Sequence, residues 1–250
     1  MRVFRIIARA AVAFYDELFY YFLMGLIHTV AWLLVIPGPF ALAGVYVIGQ
    51  KAVRGLGVKW HHIWAGVKEF GLRALLLALI VVFGYGVIVL NLWFYNTPEV
   101  SPFPASVGVW MTPLWGVLAV IWTGVAFYAQ SFLMELKEPK MLLVLRNSFF
   151  LIVLHPIQTL ILLIVSALAI VLSVLLPVLV VVSPGFISVL SLTAVRTLVT
   201  ALQERVEEME EASEESGASE GEEETAETEA IEVSAEEAKE YESWSPSDDA

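Results

Sequence analysis

Residues 35–55 read VIPGPFALAGVYVIGQKAVRG, and this stretch decides how the chain is threaded through a membrane. The tripeptide Pro37-Gly38-Pro39 interrupts a long apolar run, which then resumes until it meets Lys51. Two prolines remove backbone donors, fix φ and disfavour helix at the preceding residue, so they end one helix and begin the next. The stretch therefore predicts a helical hairpin that turns at the Pro-Gly-Pro.

The second arm of this hairpin, about residues 39–53, is short for a membrane span. At 1.5 Å rise per residue it measures roughly 22 Å, less than the ~30 Å hydrocarbon core of a bilayer. Two arrangements fit: a short complete span, or a re-entrant arm that dips into the membrane and returns on the same side. A re-entrant arm is tolerated only where other helices bury its backbone, and the small-residue stripe of Ala41, Gly44 and Ile48 suits close helix contacts.

The composition is that of a membrane protein. Hydrophobic residues make up 58% of the 250 residues, and the mean hydropathy is +0.77. Several apolar stretches exceed the ~20 residues that a helix needs to cross a bilayer. We therefore predict an all-α fold, a polytopic transmembrane helical bundle. Because the chain has no cysteine, disulfides, thiolate metal sites and a cysteine nucleophile are excluded.

Positive charges occur in groups separated by apolar arms, whereas the loops at 36–40, 96–106 and 177–185 carry no Lys or Arg. The positive-inside rule places the basic groups in the cytoplasm and these loops outside. We expect about six spans, with the N and C termini both cytoplasmic. The basic groups are Arg2, Arg5 and Arg9; Lys51, Arg54, Lys59, Lys68 and Arg73; Lys137, Lys140 and Arg146; and Arg196 and Arg205.

The later spans follow from the same reading. We predict span three at about 72–94 and span four at about 107–133. The apolar run at 141–176 is too long for one crossing, and His155-Pro156 should divide it, because proline disfavours helix at the residue before it. We expect an interfacial segment up to about residue 155, span five from about 157, and span six ending near Thr200.

The last fifty residues differ from the rest of the chain. Residues 1–200 hold 12 Lys/Arg and 6 Asp/Glu, whereas residues 201–250 hold 2 and 20. A segment rich in Glu, Ser, Ala and Thr cannot bury enough apolar surface to offset its chain entropy. We predict a transmembrane helical domain at 1–202 and an acidic, mostly disordered cytoplasmic tail at 203–250.

Several motifs between about residues 15 and 200 have the order and spacing of a known family. They are Pro37-Gly38-Pro39, Tyr46, Lys51-Ala52-Val53-Arg54-Gly55, the segment from Trp60 to Arg73 with Trp64 and Phe70, NLWFY at 91–95, and Arg146 with His155-Pro156. In these features the chain resembles the YesL-like family of bacterial integral membrane proteins, a domain of unknown function. The resemblance implies a bacterial inner-membrane location, often alongside carbohydrate uptake systems, and it implies no established activity.

The adjacent histidines His61 and His62 do not predict a metal site. Neighbouring helical residues point about 100° apart, and no Cys or Asp lies nearby to complete a set of ligands. Together with the tryptophans and lysines around them, they suit contact with lipid headgroups. We expect a cytoplasmic interface formed by Lys51, Arg54, Lys59, Trp60, His61, Trp64, Lys68 and Arg73.

Polar residues inside the predicted spans are sparse. His28 is a functional candidate because it is ionisable and lies within span one, although a neutral histidine bonded to a neighbouring helix is the plainer interpretation. Asp16 and Glu17 begin that span, where helix capping and charge pairing are their expected roles. His28, Asn91 and Gln130 are the candidate polar lining of a solute path.

No sequence feature indicates catalysis. The chain contains neither GxxxxGK[ST] nor HExxH, and its GxSxG match, GASEG at 217–221, lies in the acidic tail rather than at the strand-to-helix turn that a nucleophilic serine of this pattern needs. We expect no enzymatic activity, no cofactor and no metal, and the acidic soluble segment disfavours a nucleic-acid partner. The predicted spans three to six also lack Asp, Glu and Lys in their central thirds, which counts against an ion-coupled carrier.

We therefore expect a non-enzymatic integral membrane protein, an accessory or regulatory component of a membrane system. The resemblance suggests carbohydrate uptake as that system. The alternative is a small-solute transporter or channel built on the helical bundle. The expected partners are the lipid bilayer and a membrane transporter complex, a homo-oligomer is left open, and the expected location is the bacterial plasma membrane, as a multi-pass protein.

Overall fold

The computed structural model describes residues 2–97, 99–136, 139–176 and 178–209. Every regular element in these ranges is an α-helix, which confirms the predicted all-α class for this part of the chain. The helices are α1 (Arg2–Asp16), α2 (Leu18–Leu33), α3 (Gly38–Val53), α4 (Trp60–Asn96), α5 (Ala105–Glu135), α6 (Met141–Leu154), α7 (Pro156–Leu175) and α8 (Val178–Met209).

Four helices, α4, α5, α7 and α8, are long and apolar enough to cross a membrane. A fifth span results if α1 and α2 count together, although they meet at 84°. The described residues therefore form an all-helical protein with four or five helices of membrane-spanning character. The arms α2 and α3 have 16 residues each, or about 24 Å at 1.5 Å per residue.

The prolines break the chain near the predicted places. His155 separates α6 from α7, which begins at Pro156 as expected. In the hairpin the connection lies earlier than predicted, because Gly38 and Pro39 already form the first turn of α3. The reversal occurs around Val35, whose φ of 62° is unfavourable for a β-branched residue.

Two predicted segments form one continuous helix in the structure. The aromatic and basic segment before residue 73 and the predicted span at 72–94 both belong to α4, which has 37 residues. At 1.5 Å per residue this helix is about 55 Å long, well beyond a ~30 Å hydrocarbon core. Helix α8 likewise continues through Pro184 without a break.

Three helices form the centre of the protein. Residues 43–49 of α3, 127–134 of α5 and 188–195 of α8 are buried at every position. A helix buried on all sides contacts other helices around its whole circumference, unlike the one-sided helices of a surface. Hydrogen bonds join Tyr46, Ser131 and Ser191 at one level of these three helices. Ion pairs join Arg54, Glu135 and Arg196, which come later along the chain in each case, at a second level. The three helices therefore run in the same direction.

The α2–α3 hairpin lies beside only the first part of α4. The rings of Tyr20 and Trp60 are 5.8 Å apart at its base, and Phe40 contacts Gly71 near its tip. Beyond Gly71 the helix continues for 25 residues to Asn96, or about 38 Å. That later part packs against α5, where the Trp122 indole contacts Gly84. The hairpin tip and the loop after Asn96 are therefore far apart along α4.

Contacts divide the chain into residues 1–198 and residues 199–250. Of the second unit, residues 199–209 are described and are helical. The acidic tail is predicted to begin at residue 203. From residue 210 onward it lies outside the described residues, so its disorder stays a prediction.

Glycines allow α2 and α8 to cross closely. A Cβ added to Gly25 would overlap the backbone carbonyl of Val181, and one added to Gly185 would lie 2.5 Å from Cδ1 of Tyr21. Small residues permit this kind of backbone approach in membrane proteins, where packing rather than water exclusion drives helix association. Gly25 is therefore required for the contact between α2 and α8.

We expect Gly25→Ala to lower the free energy of unfolding by about 1–3 kcal/mol, because the methyl group forces the backbones of α2 and α8 apart. Gly86→Ala is the matched control, since a Cβ there meets nothing within 4 Å. It should be neutral or stabilising by up to about 1 kcal/mol through helix propensity. Thermal unfolding in detergent measures both, and equal effects would contradict the assigned contact.

Candidate functional site

A cluster of three buried hydroxyls joins the central helices. Ser131 Oγ on α5 donates to Ser191 Oγ on α8 at 2.8 Å, and Ser191 Oγ lies 3.3 Å from the Tyr46 hydroxyl oxygen on α3. Both serines are fully buried and Tyr46 is 5% exposed. Hydroxyls in a low-dielectric interior are costly unless they are paired, so this mutual bonding stabilises one arrangement of the three helices.

An ion-pair cluster joins the same three helices closer to their C-terminal ends. Glu135 Oε2 lies 2.9 Å from Arg196 Nη2 and 3.0 Å from Arg54 Nη2. One carboxylate thus neutralises one of two guanidinium groups, and the cluster carries a net charge of +1. Beside it, Gln50 Nε2 donates to the Met134 carbonyl at 2.6 Å.

Some polar atoms around these clusters are buried without a hydrogen-bond partner. They are Nε2 of Gln130, Oγ1 of Thr193, Oε1 of Glu135 and Nε of Arg196. A buried polar group that is left unpaired costs about 1–3 kcal/mol, so such atoms are uncommon in folded proteins. The polar core therefore contains unpaired groups as well as the two bonded clusters.

A further polar contact connects α5 to the start of α7. The hydroxyls of Tyr128 and Thr159 lie 3.1 Å apart, and Thr159 Oγ1 donates to the His155 carbonyl at 2.9 Å. Pro156 cannot donate a backbone hydrogen bond, so Thr159 stabilises the helix start that follows the break. This contact fixes where α7 leaves α5.

The structure does not bring the three predicted lining residues together. His28 is buried on α2, edge-on to Trp32 with ring centroids 6.1 Å apart. Asn91 lies on the later part of α4 and donates to its own helix at Val87. Gln130 alone lies in the polar core. The described contacts therefore show no shared path lined by all three.

The predicted cytoplasmic interface divides into two groups. Arg54 takes part in the ion-pair cluster, whereas Trp60, Trp64, Lys68 and Arg73 lie on the exposed face of α4. His61 and His62 adjoin each other there, with ring centroids 4.1 Å apart. Among the described residues, no group of three or more His, Asp or Glu side chains could hold a metal ion.

The sequence reasoning missed the residues that form the core clusters. Glu135, Ser131 and Ser191 are not singled out from the sequence, and Arg196 is predicted only as one of the cytoplasmic basic residues. The available signal was a lone acidic residue at the inner end of a span, with a serine one turn before it. The partners of that residue could not be chosen, because several arginines were equally available.

The arrangement is suited to holding helices together. A serine nucleophile requires a base within hydrogen-bond reach. In the described part of the chain, Ser131 and Ser191 bond to each other, to the Tyr46 hydroxyl and to the Ser188 backbone carbonyl. The hydroxyls of Ser131 and Ser191 therefore stabilise contacts between helices and within α8.

We expect Glu135→Gln to lower the free energy of unfolding, because two guanidinium groups then face each other without a neutralising carboxylate. The pairs are partly exposed, so the loss should lie between the ~1 kcal/mol of a surface pair and the ~3–5 kcal/mol of a broken buried pair. Glu69→Gln, on the exposed face of α4, is the control and should change stability by less than about 0.5 kcal/mol. Chemical or thermal unfolding in detergent measures both, and an unchanged Glu135→Gln protein would contradict a stabilising role.

No protein-family model, no curated protein and no solved structure matches this chain. The YesL-like resemblance stays a prediction from the motifs in the sequence.

Proposed function

We propose that this protein is a non-enzymatic integral membrane protein that assists or regulates a membrane complex, and that it binds its partner through the first part of α4. The supporting observation is a two-sided helix. Ile63, Gly66 and Gly71 are buried against the protein, whereas Trp64 and Lys68 are exposed on the other side.

This exposed face combines aromatic and charged groups on one surface. Trp60 and Trp64 are 37% and 55% exposed, and Lys68 follows Trp64 at the same four-residue spacing. Residues four apart lie on one face of a helix. Tryptophan and arginine are the side chains that most often carry the binding energy of a protein interface.

The core holds this face in a fixed position. Val47 of α3 contacts Gly66, and Phe40 contacts Gly71, so the buried side of α4 packs directly on a central helix. That central helix is joined to α5 and α8 by the hydroxyl and ion-pair clusters. A binding face on a rigid helix loses little conformational freedom when a partner binds.

The resemblance suggests that the partner is a carbohydrate uptake complex in a bacterial plasma membrane. A membrane transporter complex presents both an apolar surface within the bilayer and a charged surface beside it. A continuous helix with an exposed basic part followed by an exposed apolar part is complementary to both surfaces. A second copy of the chain is a further candidate for the same face.

We expect the triple variant Trp64→Ala, Lys68→Glu, Arg73→Glu to lose its partner in affinity capture from native membranes. The change removes an aromatic anchor and reverses two charges without touching the buried side of α4. The control is Trp93→Ala with Arg5→Glu, which alters an exposed tryptophan and an exposed arginine elsewhere. Recovery of a membrane transporter with the wild-type and control proteins but not with the triple variant supports the proposal, and equal recovery with all three contradicts it.

A small-solute transporter or channel is the second candidate. It is favoured by the unpaired buried atoms Gln130 Nε2 and Thr193 Oγ1, because a polar solute could bond to them in the core. Purified protein in liposomes that moves sugars or ions, with loss of transport in Gln130→Leu, would support it. If transport is observed and affinity capture recovers no partner, the transporter or channel hypothesis replaces the accessory role.

We further propose that both termini face the cytoplasm, which requires an even number of crossings. The meeting of Arg54, Glu135 and Arg196 supports this, because it places the ends of α3, α5 and α8 on one side. The six crossings expected from the sequence stay a prediction. They require the turn near residue 36 and the loop at 97–104 to reach the same surface, yet about 38 Å of α4 separates them.

Labelling of single cysteines tests this separation, and the natural absence of cysteine makes the background clean. We expect Ser101→Cys to react with a membrane-impermeant maleimide from outside intact cells. Ile36→Cys should be protected, because the hairpin tip lies beside Gly71 near the basic part of α4. Ala52→Cys should react only after permeabilisation. External labelling at residue 36 equal to that at residue 101 would place both loops outside and support six crossings with a strongly tilted α4.

A further inference from the structure

A groove of about 900 Å³ lies between the elbow of α1 and α2 on one side and the junction of α7 and α8 on the other. Sites for small molecules in proteins have volumes of roughly 300–1,000 Å³ and mostly apolar walls. Here Phe19 and Phe22 line one wall, and Leu172, Leu179 and Val182 line the other. The groove is therefore of the size and character of a ligand site, and it is separate from the polar core.

The sharp bend between α1 and α2 creates this space. The helices meet at 84°, so their side chains diverge from the elbow and leave a gap in front of α7 and α8. The Phe14 ring stacks on Tyr21 at 5.0 Å and meets Phe186 edge-on at 5.8 Å between centroids. Phe14 and Phe186 both line the groove, so their contact connects its two walls.

One carboxylate lies at the elbow end of the groove. Asp16 is the one charged residue among the groove-lining residues in the described part of the chain. Capping and charge pairing were the expected roles of Asp16 and Glu17, but the first turn of α2 has no side-chain cap, and neither carboxylate is in an ion pair within the described ranges. Two adjacent unpaired carboxylates attract a cation and repel an anion.

The other end of the groove opens onto apolar surface. Phe19 and Val178, which line it, are 70% and 67% exposed. Such side chains face lipid when the helices are in a bilayer, so an acyl chain can enter the groove from the side without crossing water. A groove with an apolar entrance and an acidic end is complementary to an amphiphile with a hydrocarbon tail and a positively charged group.

We propose that this groove binds one membrane phospholipid whose headgroup carries a primary ammonium group. The acyl chain lies between Phe22 and Val182, and the ammonium group lies beside Asp16. A phospholipid with a purely anionic headgroup fits the same apolar walls but is repelled at the elbow. The site therefore selects between membrane lipids by headgroup charge.

Native mass spectrometry of the full-length protein tests this selection. The protein is delipidated in mild detergent and mixed with dioleoyl phosphatidylethanolamine or dioleoyl phosphatidylglycerol. We expect one phosphatidylethanolamine to bind about five- to tenfold more tightly than phosphatidylglycerol, which is the size of effect that one near, partly solvated charge produces. Equal binding, or tighter binding of phosphatidylglycerol, would overturn the proposal.

Two variants separate the charge from the apolar walls. Asp16→Asn should remove the preference and leave phosphatidylglycerol binding unchanged or stronger, whereas the matched control Glu69→Gln should keep the preference. Val182→Trp should fill the groove and weaken both lipids, with circular dichroism confirming the helical fold. If Val182→Trp is unstable, Ser183→Phe fills the groove from the next position. A preference that survives Asp16→Asn, or undiminished binding to a folded groove-filling variant, would show that the lipid binds elsewhere.

Discussion

Polar groups on helices that are buried on every side must find their partners inside the protein, and this constraint organises the centre of the structure. No lipid and little water can reach residues 43–49, 127–134 and 188–195, so the side chains there bond across helices. The Ser131–Ser191–Tyr46 contacts and the Glu135 ion pairs are two consecutive levels of such bonding. Between them they orient α3, α5 and α8 relative to one another.

The other helices take their positions from this centre. The first part of α4 packs on α3 through glycines that admit Val47 and Phe40, so its tryptophans and basic residues are left facing outward. The later part of α4 packs against α5, where Trp122 Nε1 donates to the Val81 carbonyl at 3.1 Å. One helix thus has a part that packs on α3 and a part that packs on α5. The proposed partner-binding face belongs to the first part.

The elbow between α1 and α2 produces a different kind of surface. Ile6 and Ala10 are fully buried and hold α1 against the bundle, whereas Arg5 and Arg9 on the same helix are exposed. An amphipathic helix of this kind suits the plane of the membrane interface. The bend that it imposes on α2 leaves the apolar groove, whose acidic end has no internal partner. Lipid selection and partner binding would therefore use separate faces of one bundle.

The sequence by itself determined the helical class, the membrane character, the break at Pro156 and the aromatic-basic character of the first part of α4. These are local properties, since hydropathy over about 20 residues and the backbone limits of proline act within a few turns of chain. Only the tertiary structure decided that Glu135 pairs with Arg54 and Arg196, which are 81 and 61 residues away, because charge alone does not choose among several arginines. Only the tertiary structure placed the hairpin tip beside Gly71, because a contact between two helices depends on the register of their side chains, which the hydropathy of either helix does not specify.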